Sequence, residues 1–279
     1  MQGPKRRRRW TDPGDAATPL AFAVAENDRA TLTLVQTALE TRRLRLAYQP
    51  VVLAADTSRV AFHEGLIRVL DETGRVIPAR DFMAAVETHE IGRLIDCAAL
   101  EIGLAALARH TDIRLAINMS ARSIGYPRWM QVLAHGLRAS PTIGERLILE
   151  ISENSAMQVP ELAMAFMDDL QRKGIAFALD DFGSGPTAFR LFKDFFFDVL
   201  KIDGQFIRGI HRDRDNQALA RAMIGIAQHF NMFTVAESVE AVEDAEYLRS
   251  IGIDCLQGYL FGAPTMRPEF AAEPQRQTG

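Results

Sequence analysis

The sequence predicts an α/β protein folded as a (β/α)8, TIM-like barrel with an irregular, antiparallel first strand. Three observations carry that prediction. Eight strand-like apolar runs recur between residues 45 and 262. Segments with helical spacing fill every gap between them except the first. No Gly-rich phosphate loop follows the first run, where a doubly wound open sheet usually offers one.

The elements follow in order. RLAYQPVVL (45–53) and VAFHEGLIRV (60–69) are separated only by AADTSR. That is too short for a crossover helix, so the pair reads as a hairpin with one strand reversed. ARDFMAAVE and the run from Ile91 to Ala108 lead to IRLAINMS (113–120), and RWMQVLAHGLR leads to RLILEIS (146–152). ELAMAFMDDLQRK precedes IAFALDDF (175–182), and a short segment around Phe189 precedes DVLKID (198–203). NQALARAMIGIAQHF then leads to FTVAESV (233–239), and AVEDAEYLRS to CLQGYLFG (255–262). Each of these gaps has room for a helix, so the strands they join are parallel, with right-handed crossovers.

Composition excludes several classes. At 279 residues, with 48% hydrophobic and 24% charged side chains, the chain is an ordinary globular one. A net charge of -4 argues against a surface that coats a nucleic-acid polymer. No run of about 18 apolar residues marks a membrane span. Two cysteines, Cys97 and Cys255, make no disulfide framework and read as packing residues, so a reducing, cytoplasmic setting is expected. Residues 1–25 carry the basic block Lys5 to Arg9 and a turn-rich stretch. They read as a flexible arm, solvated or touching phosphates or anionic lipid. Residues 26–272 form the barrel domain, and 273–279 a frayed tail.

The informative feature is where polar residues interrupt the strands. A charge is costly to bury without a partner. Yet every run carries one or a strongly polar group, mostly near its C-terminal end: Gln49, Glu64, Asn118, Glu150 (with Glu153 just after), Asp180-Asp181, Lys201 with Asp203, Glu237 and Gln257. In a barrel those ends form one rim, where catalytic groups gather. Gln49 is the exception, since a reversed strand reaches that rim only with its earlier part. Each acid alone fits a helix N-cap or an ion pair with an arginine, and Asp203 and Glu153 fit structural roles. Recurrence at one strand end after another does not fit capping.

Converging carboxylates repel one another and need counter-charge. Hard divalent cations, Mg2+ or Mn2+, supply it most simply. An adjacent Asp-Asp pair suits two ions, the device used for in-line attack of water on a phosphodiester. Only four basic residues are lysines: Lys5, Lys173, Lys193 and Lys201. In an apolar strand Lys201 would orient and help ionise the attacking water, or form a Schiff base with a carbonyl substrate. The acids around it favour the first role. The six histidines are scattered without metal-ligand spacing. His63, next to Glu64, would point away from the barrel interior.

YQPVV, EGLIR, INMS, LEISE, DDFGSG, LKID, AESVE and QGYLFGAP stand here in the order and approximate spacing of a known family. Over roughly residues 32–270 the chain resembles the EAL domain, the bacterial phosphodiesterase module specific for cyclic di-GMP. The resemblance implies a barrel with an antiparallel first strand, and hydrolysis of cyclic di-GMP to linear pGpG with two Mg2+ or Mn2+ ions. It further implies that Glu64, Asn118, Glu150 and Asp180 are metal ligands, with Asp181 and Glu237 serving the second ion and Asp180 bridging. Lys201 matches the lysine on the nucleophilic water, and Gln257 a residue near the site. Glu153 matches the glutamate that holds the loop after Asp180-Asp181. Gln49, Leu66 and Arg68 match positions that touch the dinucleotide, Arg68 on a phosphate.

The chain also departs from the pattern. Gly65 stands where the signature has Ala, and would loosen the strand. Ser238 replaces the usual Gly and is expected to change little. Pro186-Thr187-Ala188-Phe189 stands where the family has an aromatic and small hydroxyl residues. Phe195-Phe196-Phe197 replaces Leu-Pro-Val, either as core at the barrel entry or as an exposed patch for a protein partner. In the family this loop links metal binding to dimer contacts, which implies a homodimer. An altered loop leaves a second function open, an inactive or weak EAL domain acting as cyclic di-GMP receptor or scaffold.

Overall fold

The computed structural model describes residues 19–185 and 193–271, with side chains from residue 26 onward. The start of the basic arm, the segment Pro186 to Phe189 with its expected short helix, and the tail 273–279 lie outside the described residues.

Strand β1 (Leu44–Leu53) is antiparallel to β2 (Val60–Leu70) on one side and to β9 (Cys255–Gln257) on the other. Between them run β4 (Leu115–Asn118), β5 (Leu147–Ser152), β6 (Ala176–Phe182), β7 (Val199–Ile202) and β8 (Phe233–Ala236), all parallel. The pairing β1–β2 closes the ring, so eight strands form a barrel with one member reversed. The short connection after β1 had required this. A further strand, β3 (Val76–Pro78), lies outside the ring on the end of β2.

Helices cover the outside: α1 (Pro19–Glu40), α2 (Met83–Val86), α3 (Glu90–Arg109), α4 (Pro127–Leu137), α5 (Ile143–Arg146), α6 (Glu153–Gln158), α7 (Pro160–Gln171), α8 (Arg214–His229) and α9 (Val242–Ser250). Their starts follow elementary capping rules. Proline, with no N–H to leave unpaired, opens α4 and α7. The Asp213 carboxylate accepts from the Asp215 and Asn216 N–H groups at the start of α8. Helix α1 is an element that the strand–helix alternation alone does not reveal. No helix among the described residues is long and apolar enough to cross a membrane.

Strand alternation divides the core in two. Outward residues such as Leu149, Phe177, Leu179 and Leu200 pack beneath the helices. Inward residues Phe62, Ala116, Ile148, Ala178, Val199, Val235 and Cys255, joined by Val51 of β1, make a separate apolar layer inside the barrel. Burial there pushes the Cys255 thiol up to about 12, so it is an inert packing group. His63 lies on the outside, as the alternation requires, edge-on to Phe270. The three phenylalanines split: Phe195 and Phe197 are buried and stacked at 5.3 Å, while Phe196 is 71% exposed.

Gly65 does not loosen β2. It pairs in register with Tyr48 and Ile117. A Cβ on Gly65 would stand 2.8 Å from Ile117 Cδ1, and one on Gly103 of α3 would stand 2.7 Å from the same methyl. The isoleucine fills the notch that both glycines leave, so the missing methyl is replaced from the neighbouring strand. Gly65→Ala should therefore destabilise the chain by about 1–3 kcal/mol, the cost of overpacking. Ile117→Val, which removes Cδ1, should recover part of that loss in the double variant. Denaturant unfolding of the single and double variants checks the coupling.

Candidate active site

The site sits directly on the inner apolar layer. Two positions beyond Phe62 is Glu64, beyond Ala116 Asn118, beyond Ile148 Glu150, and beyond Ala178 Asp180. Lys201, Glu237 and Gln257 stand in the same relation to Val199, Val235 and Cys255. A period of two keeps each of them facing inward at one level, toward the C-terminal mouth. On the reversed β1 the relation runs backward: Gln49 precedes Val51 and pairs across with Glu64. These eight polar residues thus form one ring.

Asp181 breaks the rule, since alternation would turn it outward. The register between β6 and β7 runs Leu179 with Leu200 but Phe182 with Ile202, so β6 carries one extra residue. This bulge, with Asp181 at φ 54°, re-aims the second carboxylate inward. Carboxylate oxygens of Asp180, Asp181 and Glu237 then lie within 4.8 Å of one another. Gly183, at φ 93°, completes the corner. Glu153 is fully buried, and its Oε2 accepts from the N–H groups of Gly183 (3.0 Å) and Gly185 (3.4 Å). It supports the loop from beneath. Asp203 stays in a turn, accepting from the Gln205 N–H.

Lys201 is the hub. Its side chain is 1% exposed, and Nζ lies 2.7 Å from Asp180 Oδ1, 2.8 Å from Glu237 Oε1, 3.1 Å from Glu150 Oε2 and 3.3 Å from Glu64 Oε2. Gln257 donates to Glu64 Oε2 (2.6 Å) and to Gln49 Oε1 (3.2 Å), and Asn118 donates to Glu64 Oε1 (2.7 Å). Burial works against the Lys201 charge, but Asp180, Glu150, Glu237 and Glu64 outweigh it and hold the ammonium well above its usual range. Burial likewise opposes ionisation of Glu64, yet Lys201, Gln257 and Asn118 bring its carboxyl below the usual value. Glu150 and Glu237 go the other way: burial pushes both well up, aided by Glu64 at Glu150 and by Asp180 at Glu237. Asp181 is raised to about 6 by burial, then by Asp180 and Asp203. One ammonium does not ionise five carboxyl groups, and a further cation is what the ring can accept.

Two cavities adjoin over this ring. One, of about 360 Å³, is walled by Arg68, Arg80, Arg208 and Tyr259; the other, of about 870 Å³, lies beside Met119 and Met157. Glu64, Leu66, Ala79, Asp180 and Asp181 border both. Leu66 and Arg68 are the next two inward positions of β2 above Glu64, which is why they line the mouth. Arg80, Arg208, Glu240 and Tyr259 were not found from the sequence, because they sit on connections that carry no period.

The EAL domain profile matches residues 34–264. The chain belongs to the EAL domain family. Among its EAL relatives, the bifunctional diguanylate cyclase/cyclic di-GMP phosphodiesterase MucR of Pseudomonas aeruginosa is 30% identical over 231 residues, 81% of this chain and 34% of MucR. The cyclic di-GMP phosphodiesterase PdeF of Escherichia coli is 31% identical over 240 residues, 84% of this chain and 32% of PdeF. This EAL chain therefore spans about a third of the length of those relatives. Its fold is similar to that of the PaMucR phosphodiesterase in complex with c-di-GMP, at a TM-score of 0.77 and 28% identity, covering 85% of this chain and 97% of that one. The FimX EAL domain of P. aeruginosa bound to c-di-GMP gives the same TM-score of 0.77 at 25% identity, covering 85% and 96%.

Lys201→Met should destabilise the EAL barrel by about 3–5 kcal/mol, because it leaves buried carboxylates without their counter-charge. Asp181, raised to about 6 by burial and held down by Lys201, is ionised at pH 8 and protonated at pH 5, so the deficit should be larger at pH 8 than at pH 5. Thermal melts at the two pH values, with and without Mn2+, measure this. A deficit independent of both would show that Lys201 does not neutralise the ring.

Proposed function

We propose that this chain hydrolyses one phosphodiester bond of cyclic di-GMP to give linear pGpG, with Mg2+ or Mn2+ as its cofactor. The observation that carries the reading is the acid ring around Lys201, set where two adjoining cavities meet. Two lobes of a cyclic dinucleotide would fill the cavities and lay a phosphodiester over the carboxylates. The names of the relatives and the ligands of the similar structures support the same ligand and reaction.

The residues present fit divalent cations. Glu150 Oε1 is buried without a hydrogen-bond partner, and the surrounding donors are hard oxygens. Glu64, Asn118, Glu150 and Asp180 would hold one ion; Asp181 and Glu237 would hold a second, with Asp180 shared. When bound, the ions neutralise the ring and stabilise charge on the phosphodiester. Lys201 Nζ, beside Asp180 and Glu237, donates to the attacking water and orients its lone pair. Arg68 holds a phosphate oxygen, and the apolar layer beneath the ring closes the barrel floor to bulk water. The water oxygen bonds to phosphorus as the bond to the leaving sugar oxygen breaks; the water gives up one proton to a ring carboxylate, and the leaving oxygen takes one in exchange. Glu153 acts through the loop, keeping Asp181 turned inward.

Incubation of the chain with cyclic di-GMP and Mn2+, followed by separation of products, tests the reading. The expected product is pGpG, lost on addition of EDTA and reduced at least about a hundredfold in Glu64→Gln. Saturable binding without product would make the chain a receptor, and neither binding nor product would overturn the proposal.

A further inference from the structure

Ser238 is a serine in a backbone conformation that suits glycine, at φ 56°. Its surroundings are built to accept the extra atoms. A Cβ on Gly204 would stand 2.7 Å from Ser238 Cβ and 2.5 Å from its Oγ, so only glycine fits opposite. The hydroxyl accepts a hydrogen bond from the Arg208 guanidinium at 2.9 Å. Arg208 follows β7 and Ser238 follows β8, neighbouring strands, so the bond ties two loops of the mouth together. Both residues wall the smaller cavity. Ser238 thus does more than its expected neutral replacement of glycine.

We infer that Ser238 positions Arg208 as the residue that selects guanine in this cavity, an inference that rests on the cyclic di-GMP reading above. In the ring order β2, β1, β9, β8, β7, strand β7 lies diametrically across from β2, so Arg208 and Arg68 reach the one cavity from strands on opposite sides of the ring. A phosphate group already has a cation on the β2 side. What the far wall adds is a planar donor fork from Arg208 and an acceptor carboxylate from Glu240, which lines the same cavity. Guanine presents acceptors at O6 and N7 and donors at N1 and N2, complementary to that pair. Adenine places a donor, N6, where the fork needs an acceptor. A guanidinium free to rotate reads neither base well, and the Ser238 hydroxyl removes that freedom.

Calorimetry of the full chain with cyclic di-GMP and cyclic di-AMP, without divalent cation, tests the inference alongside kinetics with Mn2+. Arg208→Ala should weaken cyclic di-GMP binding about tenfold or more and narrow the preference over cyclic di-AMP by the same factor. Arg208→Lys should not rescue it, because a point charge lacks the fork. Ser238→Gly, which relieves the backbone and should melt no lower than the natural chain, should weaken cyclic di-GMP several-fold, raise KM more than it lowers kcat, and add nothing to Arg208→Ala. Equal losses for both dinucleotides, or rescue by lysine, would overturn base selection in favour of simple charge. Additive effects of the two substitutions would overturn the positioning role. If the natural chain binds neither dinucleotide, the inference falls together with the proposed function; if it binds cyclic di-GMP and the variants bind equally well, the inference falls alone.

Discussion

One ammonium group sets the electrostatics of the barrel mouth. Four carboxylates from β2, β5, β6 and the end of β8 lie within 3.3 Å of Lys201 Nζ. None of them makes an ion pair with a second lysine or arginine among the described residues. The apolar layer beneath excludes water, so each charge is felt strongly by the others. The consequence is a division of labour among chemically similar acids. Glu64, with three hydrogen-bonding donors, is held ionised, whereas Glu150 and Glu237 resist ionisation. A ring in this state has a standing preference for added positive charge, and the fold supplies that preference before any ligand arrives.

Much of this arrangement is legible in the sequence because it rests on period-two alternation. Glu64, Asn118, Glu150, Asp180, Lys201, Glu237 and Gln257 each stand two residues beyond an inward apolar residue of their run, and one closed sheet brings them to one level. Reversal of β1 follows from a connection too short for a helix, and with it the place of Gln49. The extra residue in β6 was not legible, since LDDF reads as ordinary strand. Only the pairing with β7 reveals that both aspartates face inward. Connections are harder still. Arg80, Arg208 and Glu240 have no repeating neighbour to fix their direction, Tyr259 lies beyond the end of β9, and β3 is too short to show a period.

The two glycine-related departures have opposite physical meanings. At Gly65 a methyl is absent and Ile117 of the adjacent strand occupies its volume, so packing density is conserved by a neighbour. At Ser238 atoms are added where the backbone disfavours them, and Gly204 yields the space. The first adjustment concerns only how tightly the barrel is filled. The second places a hydroxyl on the cavity wall and ties down a guanidinium. Neither effect can be inferred from the substituted position alone, because in each case the compensating residue is distant in sequence.

The seam where β9 meets β1 has a consequence for how the protein comes into being. Val51 pairs with Gln257, and β9 contributes only three residues to the ring. Among the strand pairings of the ring this one closes the longest stretch of chain, so it carries the largest loop-closure cost of them and belongs late in folding. Until it forms, β1 and β9 present open edges, and Gln257 is not yet beside Glu64. Completion of the sheet and completion of the polar ring are therefore the same event. A chain still emerging from the ribosome, or one cut short by a few residues before Cys255, has most of its strands but no finished mouth.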